Sequence, residues 1–250
     1  MNQDTISSIN RLNNDFYRTH HESFNQSRQS AWPGWSRIAG QIASCKLEGI
    51  QRLLDIACGN MRFERYIVES LPELEMQAFC VDSCDELAQT MDGCEYLHDD
   101  IVTTLTFSET RLHPWGTGYD IVVSFGFFHH VPSLEMRMRL LDTLIESAAT
   151  DSLIALSLWR FAADDKLREK ALKTTAEALS AHAVPNDLEE NDYLLGWNDT
   201  PGAYRYCHSF DDSEIDEFVS HVNHKARLID RFRSDGRTGA LNEYLVWQRF

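Results

Sequence analysis

The sequence lacks a long apolar segment. No apolar run among its 250 residues approaches the ~20 residues that a membrane-spanning helix needs. The amino-terminal stretch MNQDTISSINRLNNDF also lacks the apolar core of a secretion signal. These two absences predict a cytoplasmic protein with no membrane partner.

Paired cysteine motifs are missing as well. None of the six cysteines forms a CxxC pair; they are Cys45, Cys58, Cys80, Cys84, Cys94 and Cys207. In a cytoplasmic chain such cysteines are expected to remain thiols. Cys80, Cys84 and Cys94 have the ligand type of a zinc site, but the pattern puts Cys80 on a strand and Cys84 on the following helix. We therefore predict no metal site.

Basic residues are scarce and unevenly placed. The chain has 23 Lys and Arg against 39 Asp and Glu, which gives a net charge of −16. Residues 1–37 nevertheless hold four arginines against three acidic residues, and residues 221–250 hold six basic residues against three acidic ones. A uniformly acidic surface repels nucleic acid. A local basic surface would form only if these two ends of the chain met in the fold.

Short apolar runs alternate with helical patterns along most of the chain. Strands are predicted at 53–57, 77–81, 96–98, 120–125, 153–158, 226–232 and 243–250. Helices are predicted at 3–24, 35–48, 61–71, 84–92, 133–148, 163–182 and 211–221. This alternation predicts an α/β fold with a mostly parallel seven-stranded sheet and helices on both faces.

Two segments depart from that alternation. Residues 1–48 precede the first strand, and residues 162–204 follow the fifth strand with a charged helix and an acidic, turn-rich connection over 185–200. We therefore predict a single domain, 1–250, with an N-terminal helical lid (1–48) and an insertion (162–204).

Candidate ligand-binding acids lie at the carboxyl ends of the first three predicted strands. The stretch LLDIACGNMRFERY (53–66) places Asp55 at a strand end and Gly59 in a turn before a helix. Asp82 ends the second strand, where an acid binds ribose hydroxyls in nucleoside-binding α/β folds. The pair Asp99-Asp100 follows the third strand, and a carboxylate there would face an adenine amino group. The predicted binding set comprises Asp55, Ala57, Gly59, Asp82, Ser83, Asp99, Asp100 and Ile101.

This arrangement resembles the class I S-adenosylmethionine (SAM) methyltransferases, whose first motif is an acid followed by alternating glycines. Ala57 and Met61 stand where that family usually has glycine, and only Gly59 is kept. Met61 narrows the turn, which favours SAM, a ligand without phosphate, over a dinucleotide. The resemblance implies a Rossmann-like methyltransferase fold and SAM as cofactor. An ordinary strand–turn–helix corner is the alternative.

The stretch IVVSFGFFHHVPS (121–133) follows the fourth strand. In methyltransferases a segment of this kind lines the methyl-donor pocket, which makes Phe125 a cofactor contact. His129 and His130 are candidate general bases. The alternative is that one histidine satisfies loop backbone groups and the other caps the next helix.

The stretch FYRTHHESFNQSRQSAWPGW (16–35) is similar to the N-terminal motif of the eukaryotic tRNA wobble-uridine carboxymethyl methyltransferases, also found fused to AlkB-type dioxygenases. The motif residues are Phe24, Ser27, Arg28, Trp32 and Pro33. DYLLGW (192–197), RYCHSF (205–210) and NEYLVW (242–247) extend the resemblance in the same order.

This second resemblance implies a lid and an anionic substrate. Tyr17 and Arg28 would close over SAM, with Trp32 anchoring the lid. Carboxylate methylation needs alignment rather than a strong base, since the nucleophile is ionised at pH 7. The catalytic candidates are His129, His130, Arg205 and His208, and the substrate-binding candidates are Trp32, Trp159, Arg160 and Tyr206. The alternatives are that Trp32 only staples the first helix and that Arg205 pairs with a nearby acid.

Three functions therefore remain open. The first is a SAM-dependent methyltransferase of a modified wobble uridine in tRNA, and in that family a small activating subunit assists the enzyme. The second is a methyltransferase of a small metabolite, which the acidic charge favours. The third is a non-catalytic SAM-fold subunit, against which the three strand-end acids argue.

Overall fold

The computed structural model describes residues 1–45, 49–107 and 114–250. Its centre is a seven-stranded sheet in the order β3-β2-β1-β4-β5-β9-β8. The strands are β1 (Gln51–Ile56), β2 (Met76–Asp82), β3 (Cys94–His98), β4 (Tyr119–Ser124), β5 (Ala148–Trp159), β8 (Ala226–Ser234) and β9 (Asn242–Arg249). The first five run parallel, and β9 pairs antiparallel with β5 and β8. The predicted mostly parallel seven-stranded sheet is confirmed.

Helices cover both faces of this sheet. They are α1 (Gln3–Gln26), α2 (Trp35–Ser44), α3 (Arg62–Ser70), α4 (Ile101–Phe107), α5 (Leu134–Ser147), α6 (Asp165–Ser180) and α7 (Asp212–Val222). The cluster with α4, α5 and α7 packs on one face, and the cluster with α2 and α3 packs on the other. The central strands are therefore buried on both sides, which explains their continuous apolar runs. No helix in the described ranges is long and apolar enough to span a membrane.

The helix predictions differ from the structure at three places. The helix predicted at 84–92 is wrong: the chain forms a turn at 85–87 and then irregular backbone. The side chain of Asp82 accepts the Cys84 amide (2.9 Å), which favours a local turn over a helix. The short α4 was not predicted. The helix predicted at 35–48 ends at Ser44, and positions 46–48 lie outside the described residues.

The insertion contains a hairpin that the turn-rich prediction for 185–200 missed. Strand β6 (Asp192–Gly196) pairs antiparallel with β7 (Tyr204–His208). The hairpin packs against α1 and α6 through a small apolar cluster that includes Ile9, Leu194 and Tyr206. We refer to α1, α6 and this hairpin together as the cap. The cap lies over the carboxyl ends of the parallel strands and forms the roof of the site described next.

Candidate active site

A cavity of about 440 Å³ lies between the sheet and the cap. Its floor is formed by the segments that follow β1, β2, β3 and β4, and its roof by α1, the loop after it and β7. Ligands of open α/β sheets bind at this edge, because the strand ends and their connecting loops leave a crevice there. The cavity is therefore the candidate active site.

The turn after β1 provides the first part of the floor. Ala57, Gly59 and Met61 all have positive φ angles (67°, 55° and 53°), so the chain alternates through left-handed conformations before α3 begins. A side chain added at Gly59 would meet no atom within 4 Å. The open space in front of the turn therefore leaves room for a ligand to contact the backbone.

Asp82 fastens this turn to β2. Its Oδ2 accepts the Gly59 amide (2.8 Å), and its Oδ1 accepts the Cys84 amide (2.9 Å). Desolvation raises the pKa of the Asp82 carboxyl, while these backbone hydrogen bonds lower it. Asp82 lines the cavity at the end of its strand, the position expected for a group that accepts hydrogen bonds from ribose hydroxyls.

Asp55 also lines the cavity, but it has a buried neighbour that the sequence did not reveal. Asp55 is 3% exposed, and Glu64 of α3 is fully buried next to it. Asp55 Oδ1 has no hydrogen-bond partner in the described structure. A buried, unpartnered carboxylate oxygen at a cavity wall suits a ligand that carries an N–H donor.

The Asp100 carboxylate is hydrogen-bonded to the cap, which the sequence did not predict. Its carboxylate accepts the Asn10 amide (2.8 Å), the Asn14 amide (2.9 Å) and the Thr103 hydroxyl (2.8 Å). Ser83 Oγ also donates to Asn14 Oδ1 (3.3 Å). Asp100 therefore anchors α1 at the predicted adenine position. An adenine amino group would compete with two asparagines for it.

The neighbours of Asp100 divide between the cavity and its surroundings. Ile101 and Ser83 line the cavity, as expected for cofactor contacts. Asp99 does not line it, and its Oδ1 accepts the Thr104 hydroxyl at 2.7 Å. The structure thus brings one member of the predicted Asp99-Asp100 pair to the site.

His130 is held by two hydrogen bonds in the cavity wall. Its Nδ1 lies 2.8 Å from the Tyr206 carbonyl, which can only accept, so Nδ1 carries the proton. Its Nε2 lies 2.6 Å from the Tyr17 hydroxyl, which therefore donates. Burial and the nearby Arg205 lower the pKa of His130 to about 3. His130 is a neutral positioning residue for Tyr17, and this arrangement leaves it no lone pair for a general base.

His129 differs from its neighbour. Its buried Nδ1 has no hydrogen-bond partner among the described residues, and its ring packs edge-on against Trp159 (5.0 Å). Burial, followed by the proximity of His130, lowers the pKa of His129 well below its usual range. The structure therefore leaves a neutral imidazole with an unused nitrogen at the wall of the cavity.

Arg205 is a buried cation with no carboxylate partner in the described structure. It is 6% exposed, and its Nε has no hydrogen-bond partner. Its guanidinium lies over the rings of Phe16 (5.3 Å) and Trp197 (5.3 Å), and Nη1 makes one long hydrogen bond to the Tyr17 hydroxyl (3.4 Å). The expected alternative, a salt bridge to a nearby acid, is absent there. An unpaired buried cation requires a counter-charge, which an anionic ligand would supply.

A second cation faces the same space. Arg28 lies over the ring of Phe24 (5.1 Å) and makes one long hydrogen bond to the Ser27 carbonyl (3.4 Å). Desolvation and then repulsion from Arg205 lower the pKa of Arg28. The two guanidinium groups therefore act on each other across the cavity, and an anion between them would relieve the repulsion.

Aromatic side chains complete the wall. Trp32 stacks on Trp35 (5.4 Å), and its ring edge would lie 2.9 Å from a side chain added at Gly126. Phe125 packs edge-on against Phe63 (4.8 Å). Trp32, Phe125 and Trp159 all line the cavity. Trp32 therefore both staples the start of α2 and contributes to the site.

Besides Asp99, three predicted site residues do not line the cavity. Arg160 is bound by Asp212 and Glu243 (both 2.6 Å). The Tyr206 hydroxyl donates to Asp192 Oδ1 (2.6 Å) on the far side of β7. His208 lies between Asp192 (2.8 Å) and Glu214 (2.6 Å), and its hydrogen bonds to these carboxylates raise its pKa although burial lowers it. Tyr206 and His208 alternate with Arg205 along β7, so they face the opposite side of the hairpin.

One group of potential metal ligands lies in the described residues. The ligand atoms of His129, His130 and Cys207 are all within 4.8 Å of one another. Both nitrogens of His130 are already hydrogen-bonded, and burial raises the pKa of the Cys207 thiol to about 12. The group also lies next to Arg205, whose charge opposes a cation. These contacts do not fit a metal site.

Comparison with known proteins identifies the fold. No family model matches the sequence, and no curated protein is detectably similar to it. Solved structures do match over nearly the whole chain. A SAM-dependent methyltransferase from Methanosarcina mazei has a TM-score of 0.60 at 15% identity, covering 89% of this chain and 99% of its own.

Two further structures were solved with ligands. The 1,6-didemethyltoxoflavin-N1-methyltransferase of Burkholderia thailandensis contains 1,6-didemethyltoxoflavin and S-adenosylhomocysteine; it has a TM-score of 0.60 at 12% identity, covering 100% of this chain and 91% of its own. The magnesium protoporphyrin IX methyltransferase of Synechocystis contains SAM; it has a TM-score of 0.55 at 10% identity and covers 95% of both chains. The chain therefore has the Rossmann-like fold of the class I SAM-dependent methyltransferases.

Proposed function

We propose that this protein is a SAM-dependent methyltransferase whose acceptor is a carboxylate of a small organic molecule. The observation that carries the proposal is the composition of one cavity. The acids and the open glycine turn at the strand ends face two arginines, Arg28 and Arg205, that have no carboxylate partners among the described residues. A cationic nucleoside cofactor and an anionic acceptor are the pair of ligands that such a cavity suits.

The residues present fit the cofactor. Asp82 would hold the ribose hydroxyls, and Asp55, with its unpartnered oxygen, would accept from the ammonium group. Gly59 leaves open space beside the turn. Arg28, on the loop that follows α1, would bind the carboxylate of the cofactor, and Ile101 and Ser83 would line its adenine end. When bound, SAM supplies an electrophilic methyl group.

The chain's own groups then orient the acceptor. Arg205 offers a planar set of N–H donors that matches a carboxylate. The Tyr17 hydroxyl, fixed by His130, lies against the same guanidinium. The aromatic lining excludes water, which strengthens the ion pair. Since a carboxylate is ionised at neutral pH, no side chain has to remove a proton, and the neutral state of both histidines is compatible with the reaction.

The distribution of charge favours a small acceptor. The two basic ends of the chain meet, but they neutralise acids there: Arg37 binds Asp230 (2.6 Å). Arg231 binds Asp216 (2.5 Å), and Arg233 binds Asp212 (2.8 Å). These arginines therefore do not form the free basic patch that binding to tRNA phosphates uses. The toxoflavin and porphyrin enzymes of the same fold are named for acceptors that are small molecules.

A modified wobble uridine of tRNA is the second candidate, and one observation favours it. Tyr17 and Arg28 belong to one segment that resembles the wobble-uridine family and Arg205 belongs to another, yet all three side chains line the same cavity. This convergence is expected if the motifs serve a shared acceptor. The carboxymethyl group of such a uridine carries the same charge as a small carboxylate.

Transfer of a labelled methyl group from SAM distinguishes the two candidates. The protein would be incubated with total small RNA and, separately, with a small-metabolite extract, and each product would then be treated with base. We expect base-labile label in the metabolite fraction, because methyl esters hydrolyse in base. Base-labile label in RNA would instead establish the wobble-uridine candidate. Label in neither fraction, or base-stable label, would contradict the proposed carboxylate acceptor.

A further inference from the structure

Two carboxyl groups are buried against each other beneath the glycine turn. Asp55 lies on β1 and Glu64 on the first turns of α3, and they are 3% and 0% exposed. The two carboxyl groups lie close enough to interact directly. An ionised carboxylate can only accept, so a hydrogen bond between them requires a proton on one of the two groups.

The surroundings of the pair do not supply a compensating charge. Apart from each other, Asp55 Oδ1 and Glu64 Oε2 have no donor within hydrogen-bond distance among the described residues, and Glu64 Oε1 accepts a weak hydrogen bond from Cys80 Sγ (3.3 Å). The titratable groups that face the pair are Asp82, Cys58, Cys80, Cys94 and Arg65.

Most of these facing groups are neutral or negative. A hydrogen bond with Cys80 lowers the pKa of the Cys58 thiol, but burial and the nearby carboxyl groups together raise it to about 12. Hydrogen bonds with Cys58 and with Cys80 raise the pKa values of Cys80 and Cys94 respectively, and burial adds to both, so the thiols stay neutral. Arg65 is the one cation in this set, and its Nη1 donates to the Asn60 carbonyl (2.8 Å) and Gln89 Oε1 (2.7 Å). Burial raises the pKa of both Asp55 and Glu64.

Only one member of the pair can contact a ligand in the cavity. Asp55 lines the cavity and Glu64 does not. We propose that Asp55 and Glu64 share one proton in the ligand-free protein, and that an ammonium group binding at Asp55 releases this proton to solvent. The inference rests on the proposed function, in which the amino acid end of SAM provides the ammonium. A cation beside a carboxyl favours its ionised form, so the incoming ligand replaces the proton as the counter-charge.

This exchange makes Glu64 a positioning residue that acts through Asp55. It keeps the ligand-free pair at a single negative charge in a site without a paired cation. It also couples affinity to pH: while the pair holds its proton, the association constant rises by about tenfold per pH unit. A nucleoside without an ammonium group should show neither effect.

Calorimetric titration of the intact protein tests the inference. SAM would be titrated at pH 7 in two buffers that differ in ionisation enthalpy, and the difference in heat gives the protons released. We expect about one proton per SAM bound, and none for 5′-methylthioadenosine, which has the nucleoside and sulfur but no amino acid. Glu64→Gln should bind SAM without release, because the amide donates to an Asp55 that is already ionised. Glu69→Gln, on the exposed side of the same helix, should behave as the wild type.

The outcomes separate this inference from the proposed function. SAM binding without proton release in the wild type would overturn the inference and leave the proposed cofactor in place. Equal proton release on binding SAM and 5′-methylthioadenosine would also overturn it, because the release would then not depend on the ammonium group. Failure of SAM to bind at all would remove the proposed function, and the inference with it. If Glu64→Gln does not fold, the comparison of the two ligands on the wild type still decides the matter.

Discussion

Replacing Arg205 by methionine should stabilise the protein while removing activity. A buried ion without a partner costs several kcal/mol even after relaxation. Arg205 recovers part of this through its aromatic neighbours, at about 0.5–1 kcal/mol for each ring contact. Methionine would keep the apolar stem and remove the charge. We expect Arg205→Met to raise the free energy of unfolding by about 1–3 kcal/mol, and Tm by roughly 3–10 °C.

Arg137 provides the matched control. It is also buried, at 2% exposed, but its Nε donates to Glu214 (2.7 Å) and its Nη1 to the Val131 carbonyl (3.1 Å). Arg137→Met leaves Glu214 without this partner and should destabilise the fold by about 3–5 kcal/mol. Thermal unfolding followed by circular dichroism would measure both variants, and calorimetry would measure their affinity for SAM.

The two variants give a clear test of the reasoning. Arg205→Met should lose methyl transfer and keep its affinity for SAM. If Arg205→Met instead lowers Tm as much as Arg137→Met does, Arg205 is a structural ion, and its assignment as the anion-binding group is wrong. Retained activity together with raised stability would also refute the assignment.

Three other perturbations have defined outcomes. Asp82→Ala should weaken SAM binding at least about 100-fold, the effect of losing two charge-assisted hydrogen bonds, as measured by calorimetry. Since the pKa of His208 is raised in the fold, its stabilising contribution is complete below about pH 6.5 and is lost as pH rises through the raised value, so Tm should fall over that range and His208→Gln should flatten the profile. Gly34→Ala places a methyl group 2.4 Å from the Tyr244 ring and should cost about 1–3 kcal/mol, whereas Gly40→Ala, with no atom within 4 Å, should stabilise α2 by about 0.5–1 kcal/mol.

Each of these expectations has a contrary result. Unchanged SAM affinity in Asp82→Ala would remove the ribose assignment. A Tm that rises with pH above 6.5, and equally so in His208→Gln, would show that the ion pairs of His208 do not control the profile. Equal effects of alanine at Gly34 and Gly40 would mean that the contact with Tyr244 relaxes freely.

The sheet could be predicted from the sequence because its strands are continuous apolar runs of the right length. Leu53, Leu54 and Ile56 are all fully buried, as a strand covered on both faces requires. The helix predicted at 84–92 does not form, and the reason is local. The Asp82 side chain accepts a hydrogen bond from the Cys84 amide, which favours a turn in place of the first turn of a helix. The helix-favouring composition of this segment does not show that a side chain competes for its backbone amides.

The acids of the site could be located from the sequence, but their partners could not. Asp55, Asp82 and Asp100 are at the predicted strand ends, whereas Glu64 was assigned only to a helix. One signal for the cap was present: Asn10, Asn13 and Asn14 follow helical spacing on the buried side of α1. Polar residues on an otherwise apolar face indicate specific partners, here Asp100 and the Tyr206 amide.

His129 and His130 show most clearly what could not be predicted from the sequence. They are adjacent and identical in the sequence, and nothing in the local pattern assigns them different roles. The distinction comes from β7, about 75 residues later in the chain, whose Tyr206 carbonyl fixes the tautomer of His130 and leaves His129 unbound. Only tertiary structure carries that information.

The division of the cavity between sheet and cap has a practical consequence for engineering. The groups assigned to the cofactor's ribose and ammonium come from the sheet, while Arg205 and Tyr17, assigned to the acceptor, come from the cap. Under the proposed function, the residues that hold the ribose and ammonium of the donor and those that hold the acceptor are encoded in separate stretches of the gene. We expect that α1 and the β6–β7 hairpin can be exchanged together for those of another methyltransferase of this fold. If Asn10 and Asn14 are kept, so that their hydrogen bonds to Asp100 remain, the exchange should change the acceptor and leave SAM binding unchanged.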